Sequence, residues 1–393
     1  MGSIFRTYSP AAPAPRKDLI SPGKADYLIL TASYGNGHLR ASQALRAALL
    51  SVEPKAKVEI VDFFSIVHPA FNAAIRYVYV QSVKKIPYLY GHFYRATGNI
   101  SPTSPLQRQM NQIGWRDLQE MLQVKKPKVI ICTYPTPAGV LSSMKAQGYP
   151  VPKTVTIITD YAVHAQWVHP HTDLYLVGIQ EMADDLRHRG IPAERIRVTG
   201  IPVDPALAKH KDAENIRRHY GFLPNRPTIL LMGGAYGMGA IARVARMLSE
   251  FSRPLQLLVV CGYDRHLYQR LQGLVGNTPN PLHLFGYTDE ISSLMAISDL
   301  LITKAGGLTV SEALTAGLPM VIYRPIPGQE EENTRILLRQ GAALSVNTPQ
   351  ELELTLSRLL QDPAALRLLG QNAKAISRPR AALDAARALL ENQ

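Results

Sequence analysis

The chain has 393 residues, 46% of them hydrophobic, and its 43 lysines and arginines against 30 aspartates and glutamates give a net charge of +13. This size and composition suit two or three folded domains and exclude a disordered or fibrous protein. Two cysteines, both in apolar runs, are too few for a disulfide framework and indicate a reducing compartment, and the lack of any run of about 18 apolar residues predicts no membrane span.

The chain opens with a proline-rich segment, residues 1–24, which we interpret as a flexible leader outside the fold. Short β-rich runs then alternate with helical patterns. The strands expected in this first series are Tyr27–Ser33, Val58–Asp62, Val129–Tyr134, Val155–Thr159 and Leu174–Val177. Such an alternation predicts a doubly wound domain with a parallel sheet, which we place at residues 25–200.

The first strand runs into the turn Tyr34–His38, which contains two glycines and leads into an amphipathic helix. Glycines and free N–H groups at a helix start favour a ligand there. The helix dipole disfavours the cationic form of His38, so its imidazole is a candidate general base, and a histidine that merely caps the turn is the alternative. Asp62 ends the second strand where a ribose-binding acid would lie, but the dinucleotide fingerprint fails because Arg40 replaces its third glycine.

The positive charge is concentrated in the first half, where residues 1–200 carry 23 basic and 13 acidic side chains. No carboxylate occurs between Asp62 and Asp117, and cationic and aromatic side chains alternate there. Cationic tips beside amphipathic rings suit an anionic lipid surface or a nucleic-acid backbone. The residues that we expect to contact a membrane or an acceptor are Arg76, Lys84, Lys85, Tyr88, Phe93, Arg95 and Trp115.

The segment from Asp160 to Asp173 follows a predicted strand and contains three histidines. Their spacing matches no common zinc pattern and no cysteine lies nearby, so we expect no metal. Asp160 is a second candidate for proton transfer, either directly or by orienting a histidine.

A second series of strands follows a break at Gly200–Pro205. Its expected strands are Thr228–Met232, Gln256–Cys261, Leu282–Phe285, Leu300–Thr303 and Met320–Tyr323. We place a second doubly wound domain at residues 201–393, whose last helix is a candidate to cross back to the first domain. Ligands of open α/β sheets bind at the carboxyl ends of the strands, so we expect a cleft between the two facing domains.

Three loops of the second domain contain candidate ligand-binding residues. Gly233–Gly239 holds four glycines in seven residues and suits a phosphate cradle. After the fourth strand, Thr309 and Glu312 predict a capping box closed by Gly317, or alternatively a ribose site at the Glu312 carboxylate. The loop Pro325–Asn333 concentrates an amide and three carboxylates, which suit sugar hydroxyls, a solvated surface or a metal.

These motifs, in this order, resemble the monogalactosyldiacylglycerol synthases and processive diacylglycerol glucosyltransferases of glycosyltransferase family 28. The likeness runs from about residue 26 to about residue 385, and its most specific part is the stretch 306–333. One departure is Ala305, where relatives often carry proline, which affects the stiffness of the loop more than its chemistry.

The resemblance implies an α/β protein of the GT-B fold, with two Rossmann-like doubly wound domains facing a central cleft. It also implies transfer of glucose or galactose from a UDP-sugar to diacylglycerol, with inversion to a β-glycoside. The UDP-sugar is a co-substrate, and we expect no cofactor and no metal; the chain has no Asp-x-Asp motif. Carried over by motif, His38 is the general base or positions the acceptor, and Asp160 is held in reserve.

The same resemblance assigns residues to the donor. It places the diphosphate on the glycine loop, the uracil beside Phe285–Tyr287, the ribose on Glu312 and the donor sugar on Gln329 and Glu330. The complete set expected to bind the donor is Gly37, Gly233, Gly234, Gly237, Phe285, Gly286, Tyr287, Gly306, Gly307, Leu308, Thr309, Glu312, Gln329 and Glu330.

Two alternatives remain. One is a UDP-N-acetylglucosamine transferase that acts on an undecaprenyl-linked sugar, and the other is a non-catalytic membrane-surface binding protein on a GT-B scaffold. The Tyr34–His38 turn argues against the first and the glycine loops argue against the second. We therefore expect a cytoplasmic enzyme bound peripherally to the inner face of the cell membrane, with an anionic lipid surface and no nucleic acid as partner.

Overall fold

The computed structural model describes residues 23–391, apart from 34–35, 68–86, 99, 101–103, 210–211 and 235–239. These residues form two compact units. The first, the N-terminal unit, contains the chain up to Asp204 and again from Arg380, and the second, the C-terminal unit, contains Pro205–Pro379. Each unit is built on one six-stranded sheet, and all the strand pairs are parallel.

The N-terminal unit has the strand order β2-β1-β3-β4-β5-β6. Its strands are β1 (Tyr27–Thr31), β2 (Val58–Asp62), β3 (Val129–Cys132), β4 (Lys153–Ile157), β5 (Leu174–Val177) and β6 (Ile196–Val198). Its helices before the domain break are α1 (Asn36–Val52), α2 (Phe63–Val67), α3 (Pro87–Thr97), α4 (Pro105–Met110), α5 (Trp115–Lys125), α6 (Pro135–Ala146) and α7 (Gln180–His188).

Both faces of this sheet are covered, which is why its inner strands are continuous apolar runs. Ile29 of β1 faces a core that includes Leu45 of α1, whereas its neighbour Leu28 faces a second core that includes Leu118 of α5. The side chains of a strand alternate between its faces, so one short strand supplies both cores.

The last helix of the chain, α16 (Ala381–Leu390), packs on the N-terminal unit. Its small side chains, including Ala382 and Ala385, join the core that contains Ile29 and Leu45. Alanine on the contact face lets α16 and α1 approach closely.

The C-terminal unit has the strand order β12-β11-β10-β7-β8-β9. Its strands are β7 (Thr228–Met232), β8 (Gln256–Val260), β9 (Leu282–Phe285), β10 (Leu300–Thr303), β11 (Met320–Tyr323) and β12 (Ala343–Val346). Its helices are α8 (Ala213–His219), α9 (Ile241–Ser249), α10 (Arg265–Gln272), α11 (Ile291–Ala296), α12 (Gly307–Ala316), α13 (Gln329–Arg339), α14 (Pro349–Leu359) and α15 (Pro363–Ile376).

The ten strands expected from the sequence are all present, and six keep their predicted bounds. Two further strands, β6 and β12, are not predicted from the sequence. Both lie at the edge of their sheet, where a strand has one neighbour and is less uniformly buried. The two doubly wound domains confirm the predicted fold class.

Asp62 has a local structural function. Its carboxylate Oδ1 accepts a hydrogen bond of 3.1 Å from the backbone N–H of Phe64, in the first turn of α2. A carboxylate at this place stabilises a helix start.

Across the part of the chain that the structure describes, every helix is too short or too polar to cross a membrane.

Candidate active site

His38 is the third residue of α1, the helix that follows β1. Its side chain is half-buried, and its Nδ1 lies 2.7 Å from the hydroxyl oxygen of Thr159, which follows β4. The backbone is also fixed here, because the Ser42 hydroxyl donates to the His38 carbonyl at 2.8 Å. The Ser42 oxygen lies in turn 2.9 Å from the hydroxyl of Thr133. Two strands and one helix thus set the position of the imidazole.

Two aromatic side chains lie beside this imidazole. Tyr134 meets it edge to face with 5.1 Å between ring centroids, and Trp167 lies at 6.3 Å. Such packing removes water from the ring and limits its rotation. The imidazole of His38 is therefore held in one orientation while part of it stays accessible.

Burial lowers the pKa of His38 below its usual value of 6.5, and the charge of Asp160 and a backbone hydrogen bond to Thr133 oppose this shift. The Asp160 side chain is itself buried. Since desolvation dominates, the imidazole is neutral near pH 7 and able to accept a proton. The two residues predicted for proton transfer, His38 and Asp160, therefore interact electrostatically.

The segment between Asp160 and Asp173 is anchored at its far end. Asp173 Oδ2 accepts hydrogen bonds from the backbone N–H of Thr154 at 2.7 Å and from the ammonium of Lys145. The Tyr175 hydroxyl donates to the His169 carbonyl at 2.8 Å and accepts from the His169 N–H at 2.7 Å. These bonds attach the loop that contains Trp167 to β4 and β5.

His164 connects the same loop to α3. Its Nδ1 accepts from the backbone N–H of Gln166 at 3.2 Å, so Nε2 carries the proton and donates to the Tyr94 carbonyl at 2.9 Å. His169 is buried, and its Nε2 makes no hydrogen bond with the residues described. The His164 side chain therefore supports the loop.

The residues expected at the membrane are only partly within the described chain. Arg76, Lys84 and Lys85 and the side chain of Phe93 lie outside it. Tyr88 of α3 is 80% exposed and Arg95 of the same helix is exposed, whereas the Trp115 ring packs partly against the core of the N-terminal unit. Trp115 thus presents less of its surface to a lipid than Tyr88 does.

In the C-terminal unit, loops follow three adjacent strands, β7, β10 and β11. Because the strands are parallel, these loops lie together at the carboxyl ends of the strands. Gly233 and Gly234 begin the first loop, and Gly234 has φ +73°, a left-handed conformation that glycine adopts without strain. Gly237 lies outside the described residues.

Lys304, the first residue after β10, connects these loops. Its ammonium pairs with the Glu330 carboxylate at Oε1. The second Glu330 oxygen accepts from the backbone N–H of Ile326 at 3.0 Å, and the Asn333 side-chain amide donates to the Ala305 carbonyl at 2.9 Å. The start of α13, including Gln329, is thereby fixed against the loop after β10.

The predicted capping box of Thr309 and Glu312 is wrong. α12 begins at Gly307, after an extended Gly306 that makes no side-chain cap, so Thr309 is already its third residue and Leu308 its second. Glu312 lies in the middle of the helix and is only 6% exposed. The predicted carboxyl cap is confirmed, because Gly317 has φ +64° and its N–H bonds to the carbonyls of the last turn.

The loops after β8 and β9 bring two tyrosines together. The rings of Tyr263 and Tyr287 are parallel within 6° and their centroids are 4.4 Å apart. Both are half-buried, whereas Phe285 and Gly286 before Tyr287 are buried. This stack forms a flat aromatic surface at the carboxyl ends of β8 and β9, of the kind that a nucleobase contacts.

Four residues of these sites are not among those predicted from the sequence: Thr159, Trp167, Tyr263 and Lys304. Thr159, Tyr263 and Lys304 each come within three residues of the end of a strand, where the fold class predicts ligands. That position was an available signal for all three. The contact of Trp167 with His38 depends on the loop conformation.

The chain matches two family models. Residues 38–203 match the monogalactosyldiacylglycerol (MGDG) synthase model, and residues 228–386 match the glycosyltransferase family 28 C-terminal domain. Curated relatives include the processive diacylglycerol beta-glucosyltransferases of Bacillus cereus strain AH187, 34% identical, and of Bacillus thuringiensis strain Al Hakam, 33% identical. Each alignment covers 90% of this chain and 90% of the relative.

Solved structures share the fold at low sequence identity. Acinetobacter baumannii MurG has a TM-score of 0.62 at 15% identity, over 94% of this chain and all of that one. Anabaena Alr3699/HepE in complex with UDP and glucose has a TM-score of 0.53 at 15% identity, over 95% of this chain and all of that one. These neighbours support the GT-B fold. The family models and the curated relatives show that the chain belongs to the monogalactosyldiacylglycerol synthase and processive diacylglycerol glucosyltransferase family, within glycosyltransferase family 28.

Proposed function

We propose that this protein transfers a hexose, glucose or galactose, from its UDP derivative to the free hydroxyl of diacylglycerol, with inversion to a β-glycoside. The similar curated proteins are diacylglycerol beta-glucosyltransferases by name, and one solved neighbour was crystallised with UDP and glucose. The observation that carries the proposal is His38, a half-buried imidazole with a lowered pKa, held by Thr159 at the start of α1.

In the proposed reaction His38 takes the proton of the acceptor hydroxyl. The oxygen forms a bond to the anomeric carbon of the sugar, and the bond from that carbon to the diphosphate oxygen breaks with its electron pair on UDP. A positioned base of this kind contributes about 10²–10⁴-fold to the rate. Asp160 favours the imidazolium that forms, because its charge raises the pKa of His38.

We assign the donor to the C-terminal unit. The N–H groups at the starts of α12 and α13 are dipoles suited to the charge that grows on departing UDP. Glu312 is our candidate for the ribose, Tyr287 for the uracil, and Gln329 with Glu330 for the sugar. Gly37 of the N-terminal unit remains a proposed donor contact.

We further propose that the enzyme works at a membrane surface and reaches it through α3. Exposed Tyr88 and Arg95 on that helix combine a ring and a cation. His164 bonds to the last turn of α3, and the loop that carries His164 also carries Trp167, which contacts His38. Docking and chemistry are thus assigned to the same unit.

The test measures UDP release by the full chain on vesicles of phosphatidylcholine and phosphatidylglycerol, with and without diacylglycerol. UDP-glucose, UDP-galactose and UDP-N-acetylglucosamine are compared, and proton coupling at the anomeric carbon identifies a β-product. We expect release that depends on diacylglycerol with one of the two hexoses. Release with UDP-N-acetylglucosamine alone, or no release with any donor, would contradict the proposal.

The matched variants are His38→Ala and His188→Ala, which removes an exposed histidine at the end of α7 in the same unit. We expect the first to fold, to bind UDP and to lose most of its turnover, and the second to behave like wild type. Normal turnover in His38→Ala would remove His38 from the mechanism.

A further inference from the structure

Lys304 lies in the loop after β10 and is close to Gly234, which follows β7, and to Glu330, which follows β11. A Cβ added to Gly234 would lie 3.0 Å from Cε of Lys304 and 3.9 Å from its Nζ. One added to Gly306 would lie 3.4 Å from Nζ. The lysine therefore packs against the backbone of both glycines, and a side chain at either position would crowd it.

Glu330 fixes this ammonium in place. The pair is well shielded, with 16% of the lysine side chain and 6% of the glutamate side chain exposed. The second oxygen of Glu330 is already bound to the N–H of Ile326, so the carboxylate cannot turn away from Lys304 without losing a bond. An ammonium has three N–H donors and Glu330 Oε1 takes one of them.

We infer that Lys304 donates hydrogen bonds to the diphosphate of the donor and stabilises the charge on departing UDP, while Glu330 positions it. This rests on the proposed function, since it requires a nucleoside diphosphate at these loops. The Lys304–Glu330 pair has no net charge, so its contribution is directed donors that need no rearrangement during the reaction. Alone, a shielded Glu330 carboxylate would repel a diphosphate, and Lys304 removes that repulsion.

A merely structural lysine would give a different result. If Lys304 only joined the loop after β10 to α13, its removal would weaken all ligands of the unit alike or unfold it. If Lys304 contacts the diphosphate, its removal weakens the binding of UDP and leaves the binding of uridine unchanged, because uridine has the same base and ribose but no phosphate.

The experiment is calorimetric titration of UDP and of uridine into the full chain. The variant is Lys304→Met with Glu330→Gln, because the single change would leave a buried carboxylate unpaired and could prevent folding. Lys374→Met, which removes an exposed cation of the same unit, is the control for the loss of a lysine outside these loops.

We expect the double variant to bind UDP at least tenfold more weakly and uridine within twofold of wild type, and Lys374→Met to match wild type for both. If wild type and the double variant bind UDP equally well, or if the affinity for uridine falls as much as that for UDP, the assignment of Lys304 is overturned and the proposed function is not. Wild-type protein that binds no UDP would overturn the proposed function together with this inference.

Discussion

The imidazole of His38 and the hydroxyl of Thr159 are 121 residues apart in the sequence and 2.7 Å apart in the structure. The first follows β1 and the second follows β4. A hydrogen bond at Nδ1 orients the imidazole ring.

Removal of this bond tests its part in the reaction. Thr159→Val keeps the shape and loses the hydroxyl, and we expect kcat to fall about tenfold or more because the base is misplaced. Thr159→Ser keeps the hydroxyl and should stay near wild type. Steady-state kinetics at saturating UDP-sugar measures both, and a normal kcat in Thr159→Val would show that the bond does not matter for turnover.

The pH dependence of kcat/KM tests the interaction between His38 and Asp160. Burial lowers the pKa of His38 and the Asp160 charge opposes this, so Asp160→Asn should lower that pKa further. A base with a lower pKa stays neutral to lower pH, and the acid limb of the profile should therefore move to lower pH. Glu120→Gln, at an exposed site of the same unit, is the control. A limb that stays in place or moves up would contradict the assignment.

His169 should make the free energy of unfolding of the N-terminal unit depend on pH. Burial lowers the pKa of His169 to about 4, against opposing backbone hydrogen bonds to Gln166 and Pro135. The unfolded chain binds a proton at about pH 6.5 and the folded chain only near pH 4, so stability is complete above 6.5 and falls as the pH drops towards 4. The loss from this group is at most about 3 kcal/mol.

This prediction is measured by urea unfolding at pH 7 and pH 4.5, followed by tryptophan fluorescence. Both tryptophans of the chain, Trp115 and Trp167, belong to the N-terminal unit, so the signal reports that unit. His169→Gln should lose less stability between the two pH values than wild type. An equal loss would show that other groups cause the dependence.

Because Glu312 lies in the middle of α12 and does not cap it, Glu312→Ala can test donor binding without removing a helix cap. Glu312→Ala removes no cap and places a good helix former in the helix, so we expect little change in melting temperature from helix formation. Loss of charged hydrogen bonds to the ribose should raise the KM for the UDP-sugar about tenfold.

Thr348→Ala provides the contrast to Glu312→Ala. Thr348 does cap a helix, since its hydroxyl accepts from the Glu351 N–H at 3.1 Å. The Thr348→Ala variant should lose about 1 kcal/mol in its free energy of unfolding and keep the wild-type KM for the UDP-sugar. A Glu312→Ala enzyme that loses stability with an unchanged KM would remove Glu312 from the donor site.

Vesicle binding tests the proposed docking helix. Tyr88→Ala should weaken sedimentation with vesicles that contain phosphatidylglycerol, and binding by wild type should fall as salt screens the cations. Leu354→Ala, which removes a 53% exposed side chain of the C-terminal unit, should have no effect. Equal binding to neutral vesicles at any salt concentration would contradict an electrostatic contribution.

The sequence by itself determined the fold class and ten of the twelve strands that the structure describes. Strands covered on both faces must be apolar throughout, and this pattern is readable without a structure, as in Leu300–Thr303. It also made His38 and the loop residue Glu330 candidate site residues, because ligand sites follow the ends of parallel strands.

Only the tertiary structure decided which groups meet. The helix start at Gly307 overrode a good local capping signal at Thr309, since packing and not propensity sets where a helix begins. The bond from His38 to Thr159 and the pair of Lys304 with Glu330 join separate loops, and no local pattern encodes such distances. The sequence therefore shows where ligand chemistry concentrates, and the folded sheet decides the partners, because side chains far apart in the chain become neighbours only when the strands pair.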